Sequence, residues 1–443
     1  MSARSLHSPA AFDSKIDALI VARVKDGTTG FSELLYNLPA VYPSELLASL
    51  DRLVVKGMIA PSLATSIRQQ AAVRPSLAVE GRSLLPLPHP LDFEWRFAPD
   101  SARALLNLAA DLTAVDGELL LFGTPGLAVE ALTLPIDRRL TFLAESNCVT
   151  DRICALNSAT GSPLSIAFCG GGMSGEIADA VLLDPPWYMD FVRPMLTAAA
   201  HACRVGGVVL VSLPPLGTRP GAEADRTAVI DFCRYLGLNS IQQVAQTIRY
   251  ETPFFERNAL AAAGIYPPPH WRRGDLFIFR KIQTQIGPAF VVGTRARKWT
   301  EVTIDRMRLF IRAGDEARSG GLSLTSLVEG DILPTVSRRD PRRRLAQVWT
   351  SGNRIFQTDN PQLLLEVATS SAGQAIDSSV QPHLWGTIHD RGALERVADS
   401  LRALATLESQ EERGWSVAAA KRSVTWNSRS THYWSRSTAI TSG

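Results

Sequence analysis

Apolar residues in the first part of the chain recur with a helical period. Ile16, Leu19, Ile20 and Val24 follow Ser14 at spacings of three and four, and Gly27 stops the run. This spacing predicts a capped amphipathic helix. A short helix is expected over 31–38. A third opens at Pro43-Ser44, carries Leu46, Leu47, Leu50, Leu53 and Val54, and ends at Gly57. A Pro-rich segment over 76–92 then breaks the helical rhythm.

After the break, short apolar runs alternate with helical patterns. Strands are expected at 118–123, 139–145, 164–170, 178–184 and 207–213, and helices at 126–132, near 148–157, 188–203 and 223–236. These strands are apolar on both faces, as central parallel strands are. Two further β-like runs, 241–251 and 275–282, flank a Pro-rich insert that offers no full crossover helix, so the last strand is expected to be antiparallel. The fold class this predicts is α/β, a Rossmann-like seven-stranded sheet of five parallel strands and a terminal hairpin, the layout of the methyltransferase sheet. From 285 onward the pattern is irregular. It holds a mixed segment at 299–312, an Arg-rich stretch at 337–356, a helix at 392–407 and a Ser/Trp/Arg tail at 424–443, which suggests a small α/β appendix with a poorly ordered terminus. Three domains follow: 1–80, 81–284 and 285–443.

Composition narrows the class. At 443 residues and 45% hydrophobic, with 46 Lys+Arg against 43 Asp+Glu, the chain is not of the disordered type. No apolar run is long enough for a membrane span, and residues 1–15 hold no apolar signal core, so a cytoplasmic protein without membrane contact is expected. Five cysteines (Cys148, Cys154, Cys169, Cys203 and Cys233) lie on apolar stretches without a CxxC pair, which argues against a disulfide framework and a zinc site. No metal is expected. Charge becomes informative by position. Residues 285–443 carry 21 Lys/Arg against 16 Asp/Glu, leaving the preceding part slightly acidic.

The chemistry concentrates at Asp184-Pro185-Pro186-Trp187, directly after the apolar strand at 178–184. Open α/β sheets place ligands at the carboxyl ends of such strands. Two prolines lock φ and hold the backbone extended, which leaves carbonyls free to accept hydrogen bonds. Asp184 and the Pro185 carbonyl can accept the two hydrogens of a planar amino group, and Trp187 can stack on the ring that carries it. Accepting both hydrogens aims the nitrogen lone pair at an electrophile without a strong base, which is catalysis by positioning. The alternative is a motif that merely ends a strand.

This motif resembles the Asp-Pro-Pro-Trp signature of class I S-adenosylmethionine-dependent amino-methyltransferases, the adenine-N6 enzymes above all. The resemblance covers roughly residues 90–282. It implies S-adenosylmethionine as cofactor, held by the loop Phe122-Gly123-Thr124-Pro125-Gly126. That loop departs from the common acidic glycine-rich form, and a similar Thr-Pro loop occurs among ribosomal-RNA adenine and elongation-factor lysine methyltransferases. The cofactor loop also precedes the motif here, whereas the order is permuted in the best-known adenine enzymes. Carried over, Glu145 would bind the ribose hydroxyls, and Leu213-Pro214-Pro215 would form another wall. The glycines at Gly170, Gly171 and Gly172 would make room for the cofactor's adenine or form a flexible turn.

For the acceptor, nucleic acid is the leading expectation. Arg338, Arg339, Arg342, Arg343 and Arg344 place five arginines within seven positions, a density suited to phosphate, and Arg354, Lys298 and Arg295 could extend the patch. The alternatives for this stretch are a solvated loop or ties to carboxylates of the chain. Trp271, Arg272 and Arg273 lie nearer the catalytic edge by topology and are expected to hold substrate. The N-terminal pattern, closed by the apolar tail Met58, Ile59 and Ala60, resembles a winged helix-turn-helix. Arg52 and Lys56 are thin cationic support for nucleic-acid reading there, so the unit is alternatively a helical cap that pairs with a second copy or another partner. Branched-polyamine synthases also join such a unit to this sheet and carry an Asp-Pro-Pro-aromatic motif. An aminopropyltransferase, a protein lysine methyltransferase and a non-catalytic scaffold therefore stay open.

Overall fold

A computed structural model describes residues 9–74, 84–144, 147–161, 164–168, 175–284, 299–312, 322–373 and 391–414. The chain starts with four helices, α1 (Pro9–Lys25), α2 (Phe31–Asn37), α3 (Pro43–Val55) and α4 (Pro61–Ala71). The apolar tail after Gly57 does not form a wing: residues 9–74 contain no strand. Pro61 instead starts α4, since proline at the first helical turn gives up an amide that has no partner there. α4 buries Ala64, Ile67 and Ala71 in the same core as Ile16, Leu34 and Leu50. Asp17 sits in this core and accepts from Ser49 (2.5 Å), Arg52 and Lys56. The two cations of the second helix pair are thus tied inside the unit.

The central part runs α5 (Pro99–Asp111), β1 (Glu118–Phe122), α6 (Pro125–Ala131), β2 (Arg139–Ala144), α7 (Cys148–Thr160), β3 (Ser165–Phe168) and β4 (Ala178–Leu183). It continues with α8 (Met189–Ala202), β5 (Cys203–Leu213), α9 (Ala222–Tyr235), β6 (Leu238–Arg249), α10 (Phe254–Ala262) and β7 (Arg273–Lys281). These strands form one seven-stranded sheet in the order β3-β2-β1-β4-β5-β7-β6. β1 to β5 pair in parallel, and β7 is antiparallel to both β5 and β6. The expected α/β, Rossmann-like seven-stranded methyltransferase sheet is therefore the fold of this domain. Helices cover both faces. Leu121, Ala180 and Leu210 point to one core, and Val181, Val209 and Phe277 to the other. α5 was not expected. Its start at Pro99 lies just after the Pro-rich segment, which reads locally as linker.

The C-terminal unit has more regular structure than its sequence suggests. β8 (Trp299–Ile304), β9 (Met307–Arg312), β10 (Thr325–Ser326), β11 (Val348–Thr350) and β12 (Ile355–Gln357) form an antiparallel sheet in the order β10-β12-β11-β9-β8. α12 (Pro361–Ser371) and α13 (Arg391–Gly414) pack on it, and α11 (Arg342–Leu345) is a single turn. Strands of two to six residues leave too little alternation to be read from sequence. The Ser/Trp/Arg tail lies outside the described residues.

This unit docks on the segment leading into α5. Arg308, fully buried, pairs with Glu301 (2.6 Å) and Asp92 (2.7 Å) and donates to the Leu87 carbonyl. Those carboxylates hold the guanidinium firmly charged despite its burial. His89 is buried beside Phe310 and Trp349. Among the described residues, no helix is long and apolar enough to cross a membrane.

Candidate active site

β1 and β4 are neighbours in register, with Phe122 opposite Leu183. The residues that follow them, Gly123 and Asp184, therefore emerge side by side at the carboxyl edge of the sheet. Gly123 has φ +65°, a conformation that L side chains rarely adopt, and a Cβ there would stand 2.8 Å from Met195 Cε. A side chain at this turn would be strained in backbone and would have to displace the end of Met195. A cavity of about 980 Å³ opens at this point. Phe122, Gly123 and Pro125 line it from the loop, and Phe142, Leu143, Asn147 and Val149 line it from β2 and α7. Asp184, Pro185, Pro186 and Trp187 supply the wall next to them.

Asp184 keeps part of its surface toward the cavity but is otherwise ringed by protein. Tyr250 Oη donates to Asp184 Oδ1 at 2.6 Å, and Ser212 Oγ lies 2.6 Å from Tyr250 Oη. Burial pushes the Asp184 carboxyl up to about 8, against the opposing pull of the Tyr250 hydroxyl and the Arg272 charge. Tyr250 is itself pushed well above the usual phenol range by burial and by Asp184. The Ser212–Tyr250–Asp184 chain fixes the carboxyl from behind. Gly274 on β7 makes room for it, since a Cβ there would meet Ser212 Oγ at 2.5 Å.

The two prolines behave differently. The Pro186 carbonyl accepts from the Tyr188 amide at 2.6 Å, so it is not free as expected. The Pro185 carbonyl accepts no hydrogen bond among the described residues and remains available beside Asp184. Arg219 fixes the motif from outside by donating to the Trp187 carbonyl at 2.9 Å.

Trp187 is not an open stacking platform. It is 9% exposed, and the Arg272 guanidinium lies over its ring at 4.6 Å and over the Trp95 ring at 4.0 Å. Tyr250 meets both indoles edge-on. Arg272, expected as a substrate residue, does line the cavity, whereas its neighbours do not. Trp271 belongs to the helical unit's core, with Tyr42 edge-on at 5.6 Å. Arg273 lies over the Tyr36 ring at 5.7 Å, on the side facing that unit.

Other expected residues fall away from the cavity. Thr124 is buried without a partner for its hydroxyl, and Gly126 is absent from the lining. Leu213 lines only a small void behind Trp187 with Pro214 and Val229. Glu145 and Gly170 to Gly172 lie outside the described residues, as do Arg295, Lys298 and Cys169. The arginine stretch is largely tied within the chain. Arg338 pairs both its terminal nitrogens with Asp190 at 3.1 Å and stacks on Tyr188. Arg342 pairs with Asp340, and Arg343 donates to the Val336 carbonyl and covers Trp349. Arg354 does not extend the patch, because it is buried against Glu408 and Glu411. Arg339 and Arg344 stay exposed, with no ion pair among the described residues.

Several lining residues were not legible beforehand. Phe93, Glu94 and Trp95 come from the Pro-rich approach to α5, Tyr250 from the end of β6, and Trp299, Phe310 and Val336 from the C-terminal unit. Trp95 and Tyr250 stand out as aromatics beside Pro-rich turns, but nothing local pairs them with Asp184.

The sheet order and the carboxylate beside the first loop define the class: a Rossmann-like α/β domain with a cavity across β1 and β4. No family model matches the chain. No curated protein sequence matches it either. Among solved structures, the chain is similar to the branched-chain polyamine synthase of Thermus thermophilus, crystallised with N4-aminopropylspermidine and 5'-methylthioadenosine. That likeness has 15% identity and a TM-score of 0.47, over 64% of this chain and 91% of that one. A methyltransferase from Pyrococcus furiosus is 16% identical over 42% of this chain and 83% of its own, with a TM-score of 0.29. Geranyl diphosphate C-methyltransferase from Streptomyces coelicolor is 11% identical over 41% and 79%, with a TM-score of 0.30. The fold assignment rests on the strand order and registers of the chain itself.

Proposed function

We propose that the chain transfers a methyl group from S-adenosylmethionine to an exocyclic amino nitrogen, with the N6 amine of adenine in DNA or RNA as acceptor. The observation that carries this reading is Asp184, fixed by Tyr250 and Ser212 at the cavity wall beside the glycine turn of β1.

The cavity fits the cofactor in two respects. Gly123 lets the backbone approach a ligand closely, and Phe122, Phe142 and Leu143 give an apolar wall for a nucleoside. Bound there, S-adenosylmethionine supplies an electrophilic methyl carbon. Asp184 and the Pro185 carbonyl accept the two N–H hydrogens of the amine, which leaves the nitrogen lone pair aimed into the cavity. Tyr250 keeps the carboxyl from rotating. In its ionised form, which gains population toward and above about pH 8, the carboxyl can take up the proton that the amine releases after transfer. The Trp95 and Trp187 rings, covered by Arg272 in this structure, supply flat faces for the acceptor's base once that guanidinium moves aside, and the exposed Arg339 and Arg344 are the cations left for backbone phosphate.

Transfer to a polyamine requires acidic residues free to pair with ammonium groups. The other cavity acids are paired, Asp92 with Arg308, Glu94 with Arg96 and Asp190 with Arg338, so a single neutral amine is the better match. The test is mass spectrometry of nucleic acid incubated with S-adenosylmethionine and wild type or Asp184→Ala. N6-methyladenine formed by the wild type and lost in the variant supports the reading. Its absence, or equal yield from both, overturns it.

A further inference from the structure

The cation over the two indoles has an electrostatic destination elsewhere in its surroundings. Arg272 Cζ lies 4.0 Å from the Trp95 ring centre and 4.6 Å from that of Trp187. Its guanidinium makes no hydrogen bond or ion pair among the described residues. Glu256 on α10 is fully buried, and the Tyr42 hydroxyl interacts with its carboxyl. Arg272 acts electrostatically on both Glu256 and Asp184 and is bonded to neither among the described residues. A buried carboxyl met by a single hydroxyl keeps acceptor capacity for a guanidinium.

A guanidinium is flat, delocalised and edged with N–H donors. On Trp95 and Trp187 beside Asp184 it presents the features of an aminopurine: a π-face for the indoles and N–H groups for an acceptor. We propose that Arg272 is an internal occupant of the acceptor site, and that a planar amine displaces its guanidinium from the Trp95 and Trp187 rings toward Glu256. This rests on the reading of the cavity as an amino-transfer site and names its ligand class, a flat aromatic amine rather than an aliphatic polycation. Displacement removes the two cation–π contacts and replaces them with the pair to Glu256, so acceptor entry and arginine movement are linked.

The test is calorimetry of adenosine binding to full-length protein saturated with S-adenosylhomocysteine, which keeps adenosine out of the cofactor's place. Arg272→Ala should bind adenosine about tenfold more tightly than wild type, because no cation competes for the rings. Arg272→Met, which keeps the aliphatic stem on the indoles, should gain in the same direction. Glu256→Gln should bind more weakly than wild type, since the displaced cation loses its partner. Unchanged or weaker binding by both Arg272 variants overturns the proposal, as does a gain for spermidine without one for adenosine. Failure of the folded wild type to bind S-adenosylmethionine or S-adenosylhomocysteine overturns the underlying reading as well. Binding of these with unaltered adenosine affinity overturns this proposal only.

Discussion

Two stretches of the chain are rich in uncommon residues, Asp184 to Trp187 and Arg338 to Arg344, and the structure uses them in opposite ways. The first stands at the carboxyl end of a central parallel strand, where its carboxyl faces an opening with the Tyr250 hydroxyl behind it and no cation bonded to it. The second lies on a loop and a single helical turn, free to fold back, and its arginines find Asp190, Asp340 and the Val336 carbonyl. Backbone topology keeps a functional group from internal ion pairing better than charge density does. A carboxylate at a strand end has few partners within reach, whereas a long flexible guanidinium on a loop has many.

The largest expected effect concerns charge in the C-terminal unit. Arg308→Met removes the partner of Asp92 and Glu301 and should destabilise the protein by about 3–5 kcal/mol, read by urea unfolding. A loss under about 1 kcal/mol would mean that buried arginines in this unit are as dispensable as surface ones. In the other region, Asp184→Ala should lower transfer by about 10²–10³-fold while leaving S-adenosylmethionine affinity within about twofold. A matching loss of cofactor binding would instead make Asp184 part of the cofactor's site.

Proton linkage sharpens the same point. The folded protein holds a proton on Asp184 up to about 8, whereas an unfolded chain releases it near about 3.9. Between these values the folded state binds more protons, so stability falls as pH rises, by at most about 1.4 kcal/mol per pH unit. Asp184→Asn, which cannot ionise, should flatten that fall in thermal unfolding series; an unchanged slope would assign it to other groups. Tyr250→Phe removes a hydrogen bond that favours the ionised carboxyl. It should move the Asp184 titration upward by about one pH unit, visible in the carboxyl's NMR shift. The smallest effect is expected for Arg342→Ala, whose partly exposed pair with Asp340 should be worth under about 1 kcal/mol.

Much of the fold is legible in the sequence because parallel strands buried on both faces read as short apolar runs. β1, β2 and β4 were expected at nearly their observed bounds, β5 begins four residues before its expected start, and the antiparallel β7 followed from the insert before it. α5 and the C-terminal sheet were not legible, the one because it follows directly on the Pro-rich segment and the other because it is built from very short strands. At the site, Asp184 and Gly123 each carry a local signal, a strand end beside prolines and a strand end beside glycine. Tyr250 and Trp95 carry none. Tyr250 lies 66 residues from the carboxyl it binds, so only the pairing of β6 with β7 and of Phe97 with Tyr250 brings it in. The Arg272 guanidinium over Trp187 was likewise beyond local reading, because its position depends on which rings the completed fold leaves uncovered.

The account turns on the cavity at β1 and β4 being a cofactor site whose neighbouring carboxyl serves the acceptor. Isothermal titration of S-adenosylmethionine into the folded wild type and Asp184→Ala tests this most directly. Saturable one-to-one binding of similar affinity to both proteins is the predicted result. No binding to the folded wild type would contradict the account.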